Sequence, residues 1–151
     1  LTEQAEKLKA IVFELETKEY AVPVELVGSI ERMQHITRVP KTKDFVKGVI
    51  NLRGVVTPIL DLRKRFKMNE EAYTDSTRII ILHLENFDVG FIVDAAYDVI
   101  DIDNEAIEPA PKVIGTVDAD YIDGVAKIDK RLIMLLNLDK VLQSEGVEIN
   151  N

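Results

Sequence analysis

With 151 residues, 46% of them apolar and 30% charged, the chain has the composition of a folded domain with one core, or of two small units sharing one. Cysteine is absent, which excludes disulfides, thiolate nucleophiles and cysteine-based zinc sites. A net charge of −8 opposes general nucleic-acid binding, no apolar run approaches the roughly 20 residues of a membrane helix, and LTEQAEKLKA lacks the basic-then-apolar build of a signal peptide. The expectation is a cytoplasmic domain without membrane insertion.

In chain order, the first predicted strand is Ile11–Leu15, rich in β-branched and aromatic residues. A polar turn at Glu16–Glu19 leads to a return strand, Tyr20–Val24, and a third strand is expected around Ile30. The proline-bearing segment Ile36–Lys41 interrupts pairing, because proline cannot donate to a ladder. Strands Val46–Leu52 and Val55–Leu60 follow, then a short helix over Asp61–Phe66 with Asp61 as its N-cap. The polar stretch Lys67–Ser76 reads as a linker.

Beyond it the same order returns. Strands are predicted at Ile79–Leu84, Val89–Val93, around Val99, at Ile122–Ile128 and at Leu132–Leu136, with a helix over Asn137–Leu142 and a tail from Gln143 to Asn151. The likeness extends to residues. Ile11–Ile30 aligns on Ile80–Val99 at an offset of 69, Ile36–Lys41 on Ile107–Lys112 at 71, and Phe45–Phe66 on Tyr121–Leu142 at 76. Three blocks in the same order indicate two copies of one supersecondary unit, residues 9–66 and 77–142, within a single domain spanning 1–151. About five short strands per copy suggest small barrels or a sandwich. Each copy alone buries too little, so the doubly apolar strands Ile79–Leu82 and Leu132–Leu136 are expected to form a shared core.

Charge divides the chain differently. Residues 1–31 carry 3 basic and 7 acidic side chains, residues 32–67 carry 10 and 2, and residues 68–151 carry 6 and 18. Opposite charge on two faces favours oriented association with a protein, or head-to-tail self-association. The basic block has only Phe45 and Phe66 to stack bases, which argues against a nucleic-acid patch.

Catalytic signatures are missing. His35 and His83 are the only histidines, and His83 alternates with buried-type residues on a strand. No G-x-S-x-G elbow, P-loop or dinucleotide fingerprint occurs. The acidic runs Asp118–Asp123 and Asp101–Glu105 lack the glycine of a calcium loop, with Asp123 and Ala106 at that position. Neither an enzyme nor a bound cofactor or metal is expected.

The most informative segment is GVINLRG, Gly48–Gly54. Alternation puts Gly48, Ile50 and Leu52 on one face and Lys47, Val49, Asn51 and Arg53 on the other. The glycines allow a bulge or the close approach of another backbone, and the guanidinium of Arg53 suits a carboxylate or carbonyl. In the second copy GVAKIDK puts Asp129 at the place of Arg53 and Lys130 at that of Gly54. The functional expectation therefore narrows to Arg53 and its surroundings.

ITRVP, FVKGVINLRGVVTPILDLR, VGFIVD and IEPAP together resemble the CheW-type coupling proteins of bacterial chemotaxis, over about Lys9 to Leu142. The resemblance implies a mainly β fold of two pseudo-symmetric five-stranded, SH3-like β-barrel subdomains, with short helices and a common hydrophobic core. It implies a non-catalytic adaptor joining the cytoplasmic tips of methyl-accepting chemoreceptors to the regulatory domain of the histidine kinase CheA, with rings of CheW or of CheW and kinase. Partner-binding positions carry over to Val27, Lys47, Gly48, Arg53 and Val99, with Arg78 and Gly90 near the second subdomain's edge. The family often has a glutamate where this chain has Ser29, so Glu31, two residues on, is the expected partner of Arg53. Alternatives are a regulatory fragment of a larger protein, either CheA or a CheV-type protein, and a small-ligand-binding β-barrel.

Overall fold

A computed structural model describes residues 6–110, 113–114 and 117–143. The tail beyond Gln143 and the Pro111–Lys112 end of the second repeat block lie outside the described residues. In chain order the first copy supplies β1 (Lys7–Leu15), β2 (Lys18–Pro23), β3 (Val27–Arg32), β4 (Val46–Leu52), β5 (Val55–Asp61) and α1 (Leu62–Arg65). The second supplies β6 (Arg78–His83), β7 (Asp88–Val93), β8 (Ala95–Asp103), β9 (Ile107–Glu108), β10 (Val113–Ile114), β11 (Val117–Asp118), β12 (Ile122–Ile128), β13 (Arg131–Leu136) and α2 (Leu138–Leu142). The helices start where expected: the Asp61 side chain accepts from the amides of Arg63 and Lys64, and that of Asn137 from the amide of Lys140.

The main strands form two sheets, and each sheet takes strands from both copies. One runs β8-β1-β2-β13-β12-β9, the other β3-β6-β7-β5-β4, while β10 and β11 pair only with each other. The repeat reappears as matched register. In the parallel pairs Ile59 lies opposite Gly90 and its counterpart Leu135 opposite Ala21. In the antiparallel edge pairs Ile30 faces Ile80, and Val99 faces Ile11. The crossing segments repeat as well: Thr37 bridges Val49, and Glu108 pairs with Val125. The two copies have thus exchanged their first hairpins, which makes each sheet depend on the whole chain.

The shared core lies between the sheets. Phe13, Tyr20, Leu62, Phe66, Ile80, Leu82, Phe91, Met134 and Leu136 belong to one buried cluster that draws on both. The expectation that all of Ile79–Leu82 and Leu132–Leu136 belong to it needs correction. Strand alternation sends Ile79 and Ile81 to a second cluster with Ile50, Ile59 and Ile92, and Ile133 and Leu135 to a third. Leu132 is 44% exposed. Arg65 joins the two copies at one end. Its guanidinium lies between the rings of Phe45 and Tyr121, 4.7 and 4.8 Å from their centroids, and donates to the carbonyls of Val141, Lys140 and Gln143.

Candidate functional site: the β4–β5 turn and its surroundings

β4 ends at Leu52, so Arg53 is in the turn and not on the strand face that alternation assigned to it. Arg53 and Gly54 form a two-residue hairpin loop with φ of +50° and +88°. Two consecutive left-handed residues match the strand twist, and asparagine or glycine fills such positions best. An arginine there costs about 1 kcal/mol of backbone energy relative to those residues. The Gly54 amide donates to Asn51 Oδ1 at 2.8 Å and holds the loop.

The loop thrusts the Arg53 side chain outward, where it is 75% exposed. Its Nη2 stands 3.8 Å from Glu31 Oε2 on β3, at the opposite edge of the same sheet. At that distance, with the guanidinium exposed and only Glu31 half-buried, the pair contributes little stability. Val55 and Val56, 48% and 64% exposed, flank the loop. Sequence reasoning missed these two valines because an apolar pair at a strand start reads as core. Arg78 lies opposite Arg32, one pair beyond Glu31 and Ile79, and its Nη1 donates to the carbonyls of Asp75 and Thr77. Glu31 and Arg78 are thus near neighbours across β3 and β6, and the Arg53 side chain reaches Glu31 from the far edge of the sheet.

The remaining candidates are dispersed. Lys47 is the extra residue where the β4–β5 register shifts, and its Nζ lies 5.9 Å from the Tyr73 ring centroid. Gly48 is buried at φ +147°, and a Cβ there would meet the Thr37 carbonyl oxygen at 2.1 Å. Gly90 is also buried, with Ile59 Cδ1 2.6 Å from where a Cβ would sit. Packing alone thus accounts for both glycines. Val27, half-buried, packs against the shared core, whereas Val99 is 52% exposed on the edge strand of the other sheet.

That other sheet has an ionic cluster that sequence reasoning did not find. Arg131 holds Glu19 through two hydrogen bonds of 2.9 Å and lies 3.2 Å from Asp98. Tyr97 donates to the same Glu19 carboxylate. Hydrogen bonding to Arg131 holds the Glu19 carboxyl below its ordinary range. No composition or spacing signal links Glu19 to Arg131, which stand 112 residues apart.

Comparison with known proteins decides the kinship. The family model described as the CheW-like domain matches residues 9–146. The chain belongs to the CheW-like family. It is 45% identical to the chemotaxis protein CheW of Bacillus subtilis over 91% of this chain and 88% of that one. Against the chemotaxis protein CheW of Klebsiella aerogenes identity is 36%, over 92% and 84% of the two chains. The scaffolding protein TtCheW of Thermoanaerobacter tengcongensis superimposes with a TM-score of 0.88 at 35% identity, covering 95% of this chain and 98% of that structure. The mainly β, two-sheet architecture is thus that of a solved CheW structure, and the exposed Arg53 loop sits on a CheW-like scaffold.

Proposed function

We propose that this chain is a non-catalytic chemotaxis adaptor, coupling methyl-accepting chemoreceptors to the histidine kinase CheA at cytoplasmic receptor arrays. The observation that carries the reading is kinship over nearly the whole chain with proteins named chemotaxis protein CheW and with a CheW scaffolding protein. The site supports it: an arginine held in a disfavoured conformation, scarcely paired and beside exposed valines, suits contact with another protein.

In this reading the two sheets are the walls of two SH3-like β-barrel subdomains. The segment after β3 crosses to bridge β4 at Thr37 and Val49, and Arg53 meets Glu31 across the two edges, which supports such closure. The receptor tip, a helical hairpin, lies against a groove between subdomains. The kinase regulatory domain docks at the Arg53 end. Contacts that are head to tail close into rings.

Co-sedimentation with a receptor signalling domain and CheA tests the reading. A functional adaptor brings the kinase down with the receptor and raises its activity, with affinities in the micromolar range, about −8 kcal/mol. Failure of the wild-type protein to bind either partner contradicts it.

A further inference from the structure

The basic block has a feature that Arg53 does not explain. A concave pocket of about 530 Å³ lies between the segment after β3, the start of β4, α1 and the linker beyond it. Among the described residues five cations line it, namely Arg38, Lys41, Lys43, Lys47 and Lys64, against two carboxylates, Asp44 and Glu70. Glu70 is already engaged by Lys64, Nζ to Oε2 at 2.5 Å. The exposed side chains of Arg38, Lys41 and Lys43 have neither ion pair nor hydrogen bond among the described residues. Gathering like charges around a concavity is unfavourable unless an anion enters. The same pocket has an apolar wall of Met33, Ile36, Val39 and Val46.

We propose that this pocket docks an acidic segment of a partner polypeptide, its carboxylates held by Arg38, Lys41, Lys43 and Lys47 and one apolar side chain seated on the aliphatic wall. Charge complementarity selects the occupant. Tyr73 is the only aromatic residue of the lining, too little for a stacked nucleic acid, and the protein as a whole is at −8. No glycine lines the pocket, so it lacks the backbone amide cradle that nucleotide phosphates use. The proposal rests on the adaptor reading only in taking the occupant to be a protein. Arg53 does not line the pocket, so the two sites separate by mutation.

The test is fluorescence anisotropy at low salt, with a short labelled peptide whose glutamates flank one leucine. Saturable binding is expected, weakened about tenfold by the combined Arg38→Glu, Lys41→Glu and Lys43→Glu variant. The same peptide with glutamines should bind at least about tenfold more weakly, and added salt should weaken the acidic peptide's binding. All three substituted positions are exposed and outside strands, so circular dichroism should be unchanged. The Arg53→Asn variant should bind the peptide like wild type. Absent or charge-independent binding overturns the proposal, as does tighter binding of ATP or of a single-stranded oligonucleotide. No peptide binding by the wild-type protein, with its receptor and kinase co-sedimentation intact, sinks this site alone; failed wild-type co-sedimentation sinks the adaptor reading.

Discussion

Two ends of the molecule, equivalent by the internal repeat, have been finished in opposite ways. At one, Glu19, Tyr97, Asp98 and Arg131 tie β2, β8 and β13 together with hydrogen bonds and ion pairs. At the repeat-equivalent places the other sheet has Asp88, Gly28, Ser29 and Val55. There the Asp88 side chain meets, among the described residues, only His83 of its own hairpin, at 2.9 Å, and the rest of that end carries exposed valines and an arginine whose ion pair is 3.8 Å long. The backbone is shared as far as the first loop residue, where Arg53 and its counterpart Asp129 have left-handed φ of +50° and +56°; at the second, Gly54 is at +88° whereas Lys130 is not left-handed. The fold therefore sets where a hairpin end projects, and side chains decide whether it is tied inward or left exposed.

The largest effect that sharpens this comparison is expected at the paired glycines. Gly48→Ala must displace the Thr37 backbone carbonyl at a φ that side chains avoid, and should cost about 3 kcal/mol or more in urea unfolding. Gly124→Ala meets the Ile107 side chain at 2.7 Å and the Glu108 oxygen at 2.9 Å without a positive φ, and should cost about half as much. Equal costs would break the distinction. For the same reason Gly48 substitutions report folding rather than binding.

Next in size is the clasp. Arg131→Ala should lower stability by about 1–2 kcal/mol, because it leaves a half-buried carboxylate without its bidentate partner. The hydrogen bonds from Arg131 hold the Glu19 carboxyl below the ordinary glutamate value, so its contribution is full above that value and lost as pH falls through the lowered one. Glu19→Gln should flatten the acid limb of the stability profile. An unchanged limb would show that the cluster is not a clasp.

A smaller effect tests the core between the two copies. The Tyr20 hydroxyl is buried with no hydrogen-bond partner among the described residues, and burial pushes its pKa up to about 12. Its repeat counterpart is the apolar Val89. Tyr20→Phe should be neutral or stabilising by up to about 1 kcal/mol in thermal unfolding. A marked loss would mean that the hydroxyl is satisfied in solution.

Much of this was legible in the residues. β4 and β12 coincide with the predicted Val46–Leu52 and Ile122–Ile128, because alternation and flanking turns define hairpins locally. The matched registers follow from the repeat. Which hairpins share a sheet was not legible, since an alignment of copies does not say with which copy β1 and β2 pair. Arg53 stands out in the sequence as peculiar to the first copy, but alternation misplaced it on a strand, because Arg-Gly is not one of the dipeptides that announce a two-residue turn. The clasp and the exposure of Val55 and Val56 depend on long-range packing that no local pattern records.

Arg53→Asn tests most directly whether, as proposed, Arg53 serves a partner at the expense of its own loop. Asparagine suits the left-handed position, so thermal stability should hold or rise by about 0.5 kcal/mol. Measured together with it, co-sedimentation with the receptor signalling domain and CheA should fall at least about tenfold. A variant that is folded, as stable as wild type and undiminished in binding both partners would contradict the account.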